Sequence, residues 1–113
     1  MKKFTYQFSQ DDIKTLTSTL AILIESLPYI DEDILEDDIK ALCFRHGTSA
    51  IERFFNMESR ISNNELSATH ISLQYVHGIL YGDFPADDSI RKLCSELLFG
   101  VQKLLPVFDE HFS

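Results

Sequence analysis

Apolar positions recur at three- and four-residue steps along most of this chain, and that spacing predicts helices. Ile13, Leu16, Leu20, Leu23, Ile24 and Leu27 mark one buried helical face, preceded by Ser9 and Asp12 at the spacing of a capping box. Thr15, Thr17 and Thr19 lower the helix propensity of this segment, so packing has to hold it. Pro28 disfavours helical geometry at Leu27 and is expected to end the helix there. A second helix is expected to start inside the stretch DEDILEDD, residues 31–38, capped by Asp31, Glu32 or Asp33. Its apolar face is Ile34, Leu35, Ile39, Leu42 and Cys43, and Gly47 stands where a helix commonly ends.

Ser49 and Glu52 then offer a capping box for a third helix, buried through Ile51, Phe54, Phe55 and Ile61. Ser62 and Glu65 repeat that signal ahead of a fourth helix, over about 65–81, buried through Leu66, Leu73, Val76, Ile79 and Leu80. Gly78 weakens that pattern from inside. The stretch YGDFPADDS, with Gly82, Pro85 and three aspartates, reads as a loop. Beyond it Ile90, Leu93, Cys94, Leu97, Leu98, Val101, Leu104 and Leu105 keep helical spacing, until Pro106 kinks or stops the fifth helix. Val107 and Phe108 continue the apolar stripe afterwards.

One segment departs from the helical period. Phe4, Tyr6 and Phe8 alternate with Thr5 and Gln7, a period of two with no second strand to pair it. An arm packed on the helices is expected, the alternative being pairing with a second copy or a partner. The predicted fold is all-α: a compact bundle of four to five helices with a short extended N-terminal arm. One domain is expected over 1–113, with the arm at 1–8.

Charge changes the picture most at one place. The net charge is −8, and the run 31–38 supplies −6 of it, leaving 12 acids against 10 bases in the other 105 residues. A local acidic patch repels nucleic acid and steers cationic partners, so direct nucleic-acid binding is disfavoured. Apolar runs reach only five residues, as in LAILI, and no apolar stretch follows Lys2 and Lys3. No membrane span and no signal peptide are expected, and a soluble cytoplasmic protein is.

Candidate chemistry is sparse. Cys43 and Cys94 stand far apart at apolar helical positions and read as small buried hydrophobes. An EF-hand loop counted from Asp31 meets Glu36 where Gly is required and Leu42 where Glu is required. Counted from Asp33, those positions hold Asp38 and Phe44. His70 and His77 are seven apart, too far along a helix to chelate one ion, and Cys43 with His46 is only a loose pair. No nucleophile elbow, phosphate loop or dinucleotide fingerprint occurs. Neither enzyme activity, a cofactor nor a metal is expected. Arg53 and Arg60, beside Phe54 and Phe55, read as ordinary surface charge.

The acidic run therefore draws the functional expectation. Compensation of a helix dipole accounts for Asp31, Glu32 and Asp33 at most, and Glu36 can pair with Lys40. Asp37 and Asp38 have no such explanation on this reading, and retained repulsion is consistent with a binding surface. The expected function is a small acidic protein-binding module that neutralises a cationic macromolecule. An immunity protein or inhibitor of a nuclease-type toxin is the kind of molecule this size and charge suit. The expected contact residues are Asp31, Glu32, Asp33, Glu36, Asp37 and Asp38, followed by Tyr81, Phe84, Asp87 and Asp88. The alternative is a structural or adaptor domain acting as a homo-oligomer through the arm and the 90–108 stripe.

Overall fold

Ser9 and Asp12 close the reciprocal cap that their spacing predicts. In the computed structural model, which describes residues 4–113, the Ser9 hydroxyl accepts from the Asp12 amide at 3.1 Å and the Asp12 carboxylate accepts from the Ser9 amide at 3.0 Å. Helix α1 follows over Gln10–Ser26 and gives way to a 3-10 turn at Leu27–Tyr29, where Pro28 stands. Leu16, Leu20 and Leu23 are fully buried, as the periodicity requires. Two of the buried threonines bond back into the helix: the Thr17 hydroxyl donates to the Ile13 carbonyl and Thr19 to that of Leu16.

The second helix, α2, departs from expectation at both of its predicted limits. It spans Asp37–Phe55 without interruption. Residues 31–35 form a turn instead, in which the Ile34 and Leu35 amides donate to the Asp31 carbonyl at 2.9 and 3.0 Å. That turn points Ile34 and Leu35 at the core, which a helix starting at Asp31 would have to do in a different register. Gly47 ends nothing. It lies mid-helix and buried, and a Cβ there would stand 3.3 Å from Ile24 Cδ1 and 3.5 Å from Leu20 Cδ2. The glycine therefore marks a close approach of α2 to α1. Ser49 and Glu52 accordingly form no cap. Past the C-cap Asn56, the Met57 amide donates to the Phe54 carbonyl while the Glu58 amide reaches that of Arg53, closing the helix end. This paired arrangement needs a left-handed residue, and Met57 adopts it with φ 55°.

Helix α3, Asn63–Leu80, carries the second reciprocal cap, between Ser62 and Glu65. The predicted long C-terminal helix is two: α4 over Asp88–Glu96 and α5 over Leu98–His111. The Leu97 amide turns back to the Cys94 carbonyl at 2.9 Å, which tightens the last turn of α4 and redirects the chain. A further glycine explains where α5 then goes. A Cβ at Gly100 would fall 2.2 Å from Thr15 Oγ1, so α5 touches α1 backbone to side chain. Pro106 removes one amide donor near the end of α5 without ending it.

Helices α1 and α3 form the centre: α2 packs on both, while α4 and α5 lie against α3 and α5 also meets α1. The architecture is all-α, five helices with no strand among the described residues. The arm alternates as predicted, with Phe4, Tyr6 and Phe8 half-buried and Thr5 and Gln7 exposed. Phe8 meets Phe54 at 5.6 Å and Phe108 at 6.1 Å between ring centroids, and Phe4 meets Phe108 at 5.1 Å. The Phe4 and Phe8 rings themselves lie 5.5 Å apart, so the arm does not run as a straight strand. The part of the expected arm at residues 1–3 lies outside the described residues. No helix among the described residues is long and apolar enough to cross a membrane.

Candidate functional site

Three elements distant in sequence converge on an apolar groove of about 170 Å³. The turn after the 3-10 segment contributes Ile34 and Leu35, and the first turn of α2 contributes Ile39. Leu23 of α1 and Ile71, Gln74 and Tyr75 of α3 form the floor, and Phe84 closes the far wall. Gly78 makes the Phe84 position possible. The Asp83 and Phe84 amides both donate to the Gly78 carbonyl, at 2.7 and 3.3 Å, and a Cβ on Gly78 would stand 2.3 Å from the ring. Phe84 is thus half-buried, 5.8 Å from the Tyr75 ring, and serves as a wall of the groove. The Tyr75 hydroxyl is pushed above its usual range by burial, against a hydrogen bond with Ser26.

Among the described residues, no carboxylate lines the groove itself, but acids neighbour its lining residues in the chain on both sides. Asp31, Glu32, Asp33, Glu36, Asp37 and Asp38 are all exposed, immediately flanking Ile34, Leu35 and Ile39 in the chain. Asp83, Asp87 and Asp88, also exposed, belong to the loop and helix start around Phe84. Asp87 is occupied as a cap: it accepts from the Ile90 amide at 2.9 Å and the Ser89 hydroxyl at 2.8 Å. Those hydrogen bonds, the Ile90 amide first, hold its carboxyl below the usual range. Among the described residues, no basic side chain lines the groove. Lys40, expected to pair with Glu36, instead donates to the Ile30 carbonyl and ties the acidic turn to α2.

The reasons for the individual acids also change. Asp37 and Asp38 sit in the first turn of α2, where the helix dipole favours them, and Glu36 is the N-cap residue with no side-chain bond. Asp31, Glu32 and Asp33 precede the helix and cap nothing, against the expectation that one of them would. Tyr81 stands apart from the groove: its hydroxyl accepts from the Gln102 amide at 3.2 Å, and its ring lies 4.5 Å from His77.

Sequence reasoning found Glu65 as a cap and missed what else it does. Glu65 is buried, and it accepts from Arg53 Nε at 2.7 Å, from the Ser62 amide at 2.8 Å and from the Ser49 hydroxyl. Burial alone would raise its pKa, but Ser49, Ser62 and Arg53 together outweigh burial and lower it. Arg53 also reaches Glu58 at 3.2 Å, while Arg60 lies beyond the end of α2, so no basic strip forms. His70 Nε2 lies 2.7 Å from Asp109 Oδ1, and its ring stacks on Phe112. Among the described residues, no group of three or more His, Cys, Asp or Glu is arranged to hold a metal. Burial pushes the Cys43 thiol up to about 11 and raises that of Cys94 as well.

The groove therefore offers the chemistry of binding: apolar walls, one side-chain amide and one phenol, with exposed carboxylates next in the chain to Ile34, Leu35, Ile39 and Phe84. A second cavity, of about 460 Å³, lies under the arm between Phe8, Ile13, Phe54 and Leu66. Compared with known protein families, curated proteins and solved structures, the chain matches none.

Proposed function

We propose that this protein is a small acidic binding module that captures a cationic macromolecule and occludes its charged surface. An inhibitor or immunity protein directed at a nuclease-type toxin is the form of that reading we favour. One juxtaposition supports it: the acidic segment 31–38 and the loop around Phe84, some fifty residues apart, flank the same apolar groove. Carboxylates steer a basic partner over long distance, and an apolar pocket supplies the contact that slows its escape. On this reading Asp33, Glu36, Asp37 and Asp38 act on association, and Ile34, Leu35 and Phe84 act on dissociation. Asp31, Glu32, Asp87 and Asp88 complete the field, and Tyr81, outside the groove, is at most a rim contact.

The test is capture from native lysate at low and high salt. Wild type is run beside a variant carrying Asp33→Asn, Glu36→Gln, Asp37→Asn and Asp38→Asn. The expected result is a basic protein held by wild type, shed by salt and missed by the variant. Stopped-flow association of the purified pair should then slow about ten-fold or more in the variant. Capture of the same proteins by both baits, or no loss of association rate, sinks the reading.

A further inference from the structure

Helix α2 buries one side against α1 and α3 and leaves the other to solvent. Towards that outward side Phe44, Thr48, Ile51 and Phe55 follow one another at steps of four, three and four, which is a continuous seam on a helix, with Ile51 half-buried where the seam borders the core. The two phenylalanines at its ends are 61% and 69% exposed, and Thr48 is exposed between them. Two aromatic rings on one unpartnered face are not the isolated apolar residues that ordinary surfaces carry. Thr48 is less polar than its name suggests. Its hydroxyl donates to the Phe44 carbonyl at 2.6 Å, so covering the face leaves no unmade hydrogen bond there.

Charge identifies the occupant. Arg45 and Glu52 are exposed and exactly one heptad apart, so they share one flank of the seam with ~10.5 Å between them along the axis. Within the chain Arg45 makes no hydrogen bond or ion pair among the described residues. In an antiparallel helix pair, like flanks face each other. A second α2 running in the opposite direction brings its Glu52 to Arg45 and its Arg45 to Glu52, while Phe44 meets Phe55 and Thr48 meets Ile51. The face is complementary to itself, as a two-fold interface has to be.

We propose that the outward face of α2 pairs with the same face of a second copy of this chain, antiparallel about a two-fold axis. This surface is separate from the arm and from the 90–108 stripe, and it does not depend on the groove binding anything. A single helix pair falls at the small end of protein interfaces, below about 1,200 Å² in total, so micromolar dissociation is expected.

The experiment is sedimentation equilibrium from about 1 µM to about 1 mM, a span that brackets such an affinity. Wild type should pass from monomer to dimer in that span. Phe44→Ser with Phe55→Ser, both at exposed positions and checked for helicity by circular dichroism, should shift the midpoint beyond it. Arg45→Glu and Glu52→Arg should each weaken pairing about ten-fold, because each sets like charges together twice. The two reversals combined should return the affinity to within about three-fold of wild type. Wild type monomeric throughout would leave the face to a foreign helix and overturn the proposal. So would a dimer indifferent to the phenylalanine changes, or charge reversals that do not rescue one another.

Discussion

Glu65 keeps a negative charge in the core because an arginine, a serine hydroxyl and a helix-capping amide all meet it there. Its carboxyl is lowered from an ordinary value of 4.5, and that of Asp12, held by Lys103 at 2.8 Å and by Ser9, from 3.8. In both cases burial opposes the shift and hydrogen bonding overcomes it. A lowered folded-state pKa gives stability that is complete above the unfolded value and lost as pH falls through the folded one. Urea unfolding should therefore show stability falling below about pH 4.5, less steeply in Glu65→Gln. At pH 7 that variant should be weaker by roughly 1–2 kcal/mol. An unchanged pH profile would remove Glu65 from this role. Only half of it was legible beforehand: the spacing from Ser62 advertises the cap, whereas Ser49 and Arg53 are brought in by the packing of α2 on α3. The cysteines are the counterpart. With Cys43 at about 11 and both thiols buried, alkylation at pH 8 should be slow in the native protein and rapid after denaturation.

At the level of elements, α2 is ended by residues that suit neither end well. Glu36 occupies an extended N-cap position, φ −62° and ψ 154°, yet makes no capping bond. Met57 holds a left-handed conformation that glycine adopts without cost. Glu36→Ser should raise stability by about 1 kcal/mol and Met57→Gly by about 0.5–1 kcal/mol, read as shifts in the urea midpoint. No gain from either would show that the surrounding contacts compensate for these residues. These ends also show where sequence reading stops. Periodicity located most of the core positions, although Phe55 and Leu93, expected on buried faces, are 69% and 47% exposed. The acidic run offered several residues able to cap and no means of choosing among them. Gly47 carried the signal of a helix end because close approach of two helices and a C-terminal turn call for the same residue. The break at Leu97 lacked any breaker. It follows from α5 needing to lie on Thr15, a tertiary demand visible only once Gly100 is in place.

Across the whole molecule, the arm bridges the far ends of two helices. Phe8 touches Phe54 at the end of α2 and Phe108 near the end of α5, elements that both pack on the central α1 and α3. Phe8→Ala should cost about 2–3 kcal/mol and raise amide exchange at both of those helix ends together. Exchange rising at one end alone would mean that the arm merely covers its nearest neighbour. The groove was illegible for the same reason: Ile34 and Phe84 share a wall only after α1 and α3 have packed. Its position now has a mechanical meaning. Phe4 lies 5.0 Å from His111, so both ends of the described chain meet at the arm, beside Ile13, whereas the groove reaches Leu23. Ten residues of helix separate those two positions, roughly 15 Å. Force applied through the two ends would load the aromatic cluster first and part its rings one after another, unzipping the fold from that end. The groove end would be the last to feel the pull.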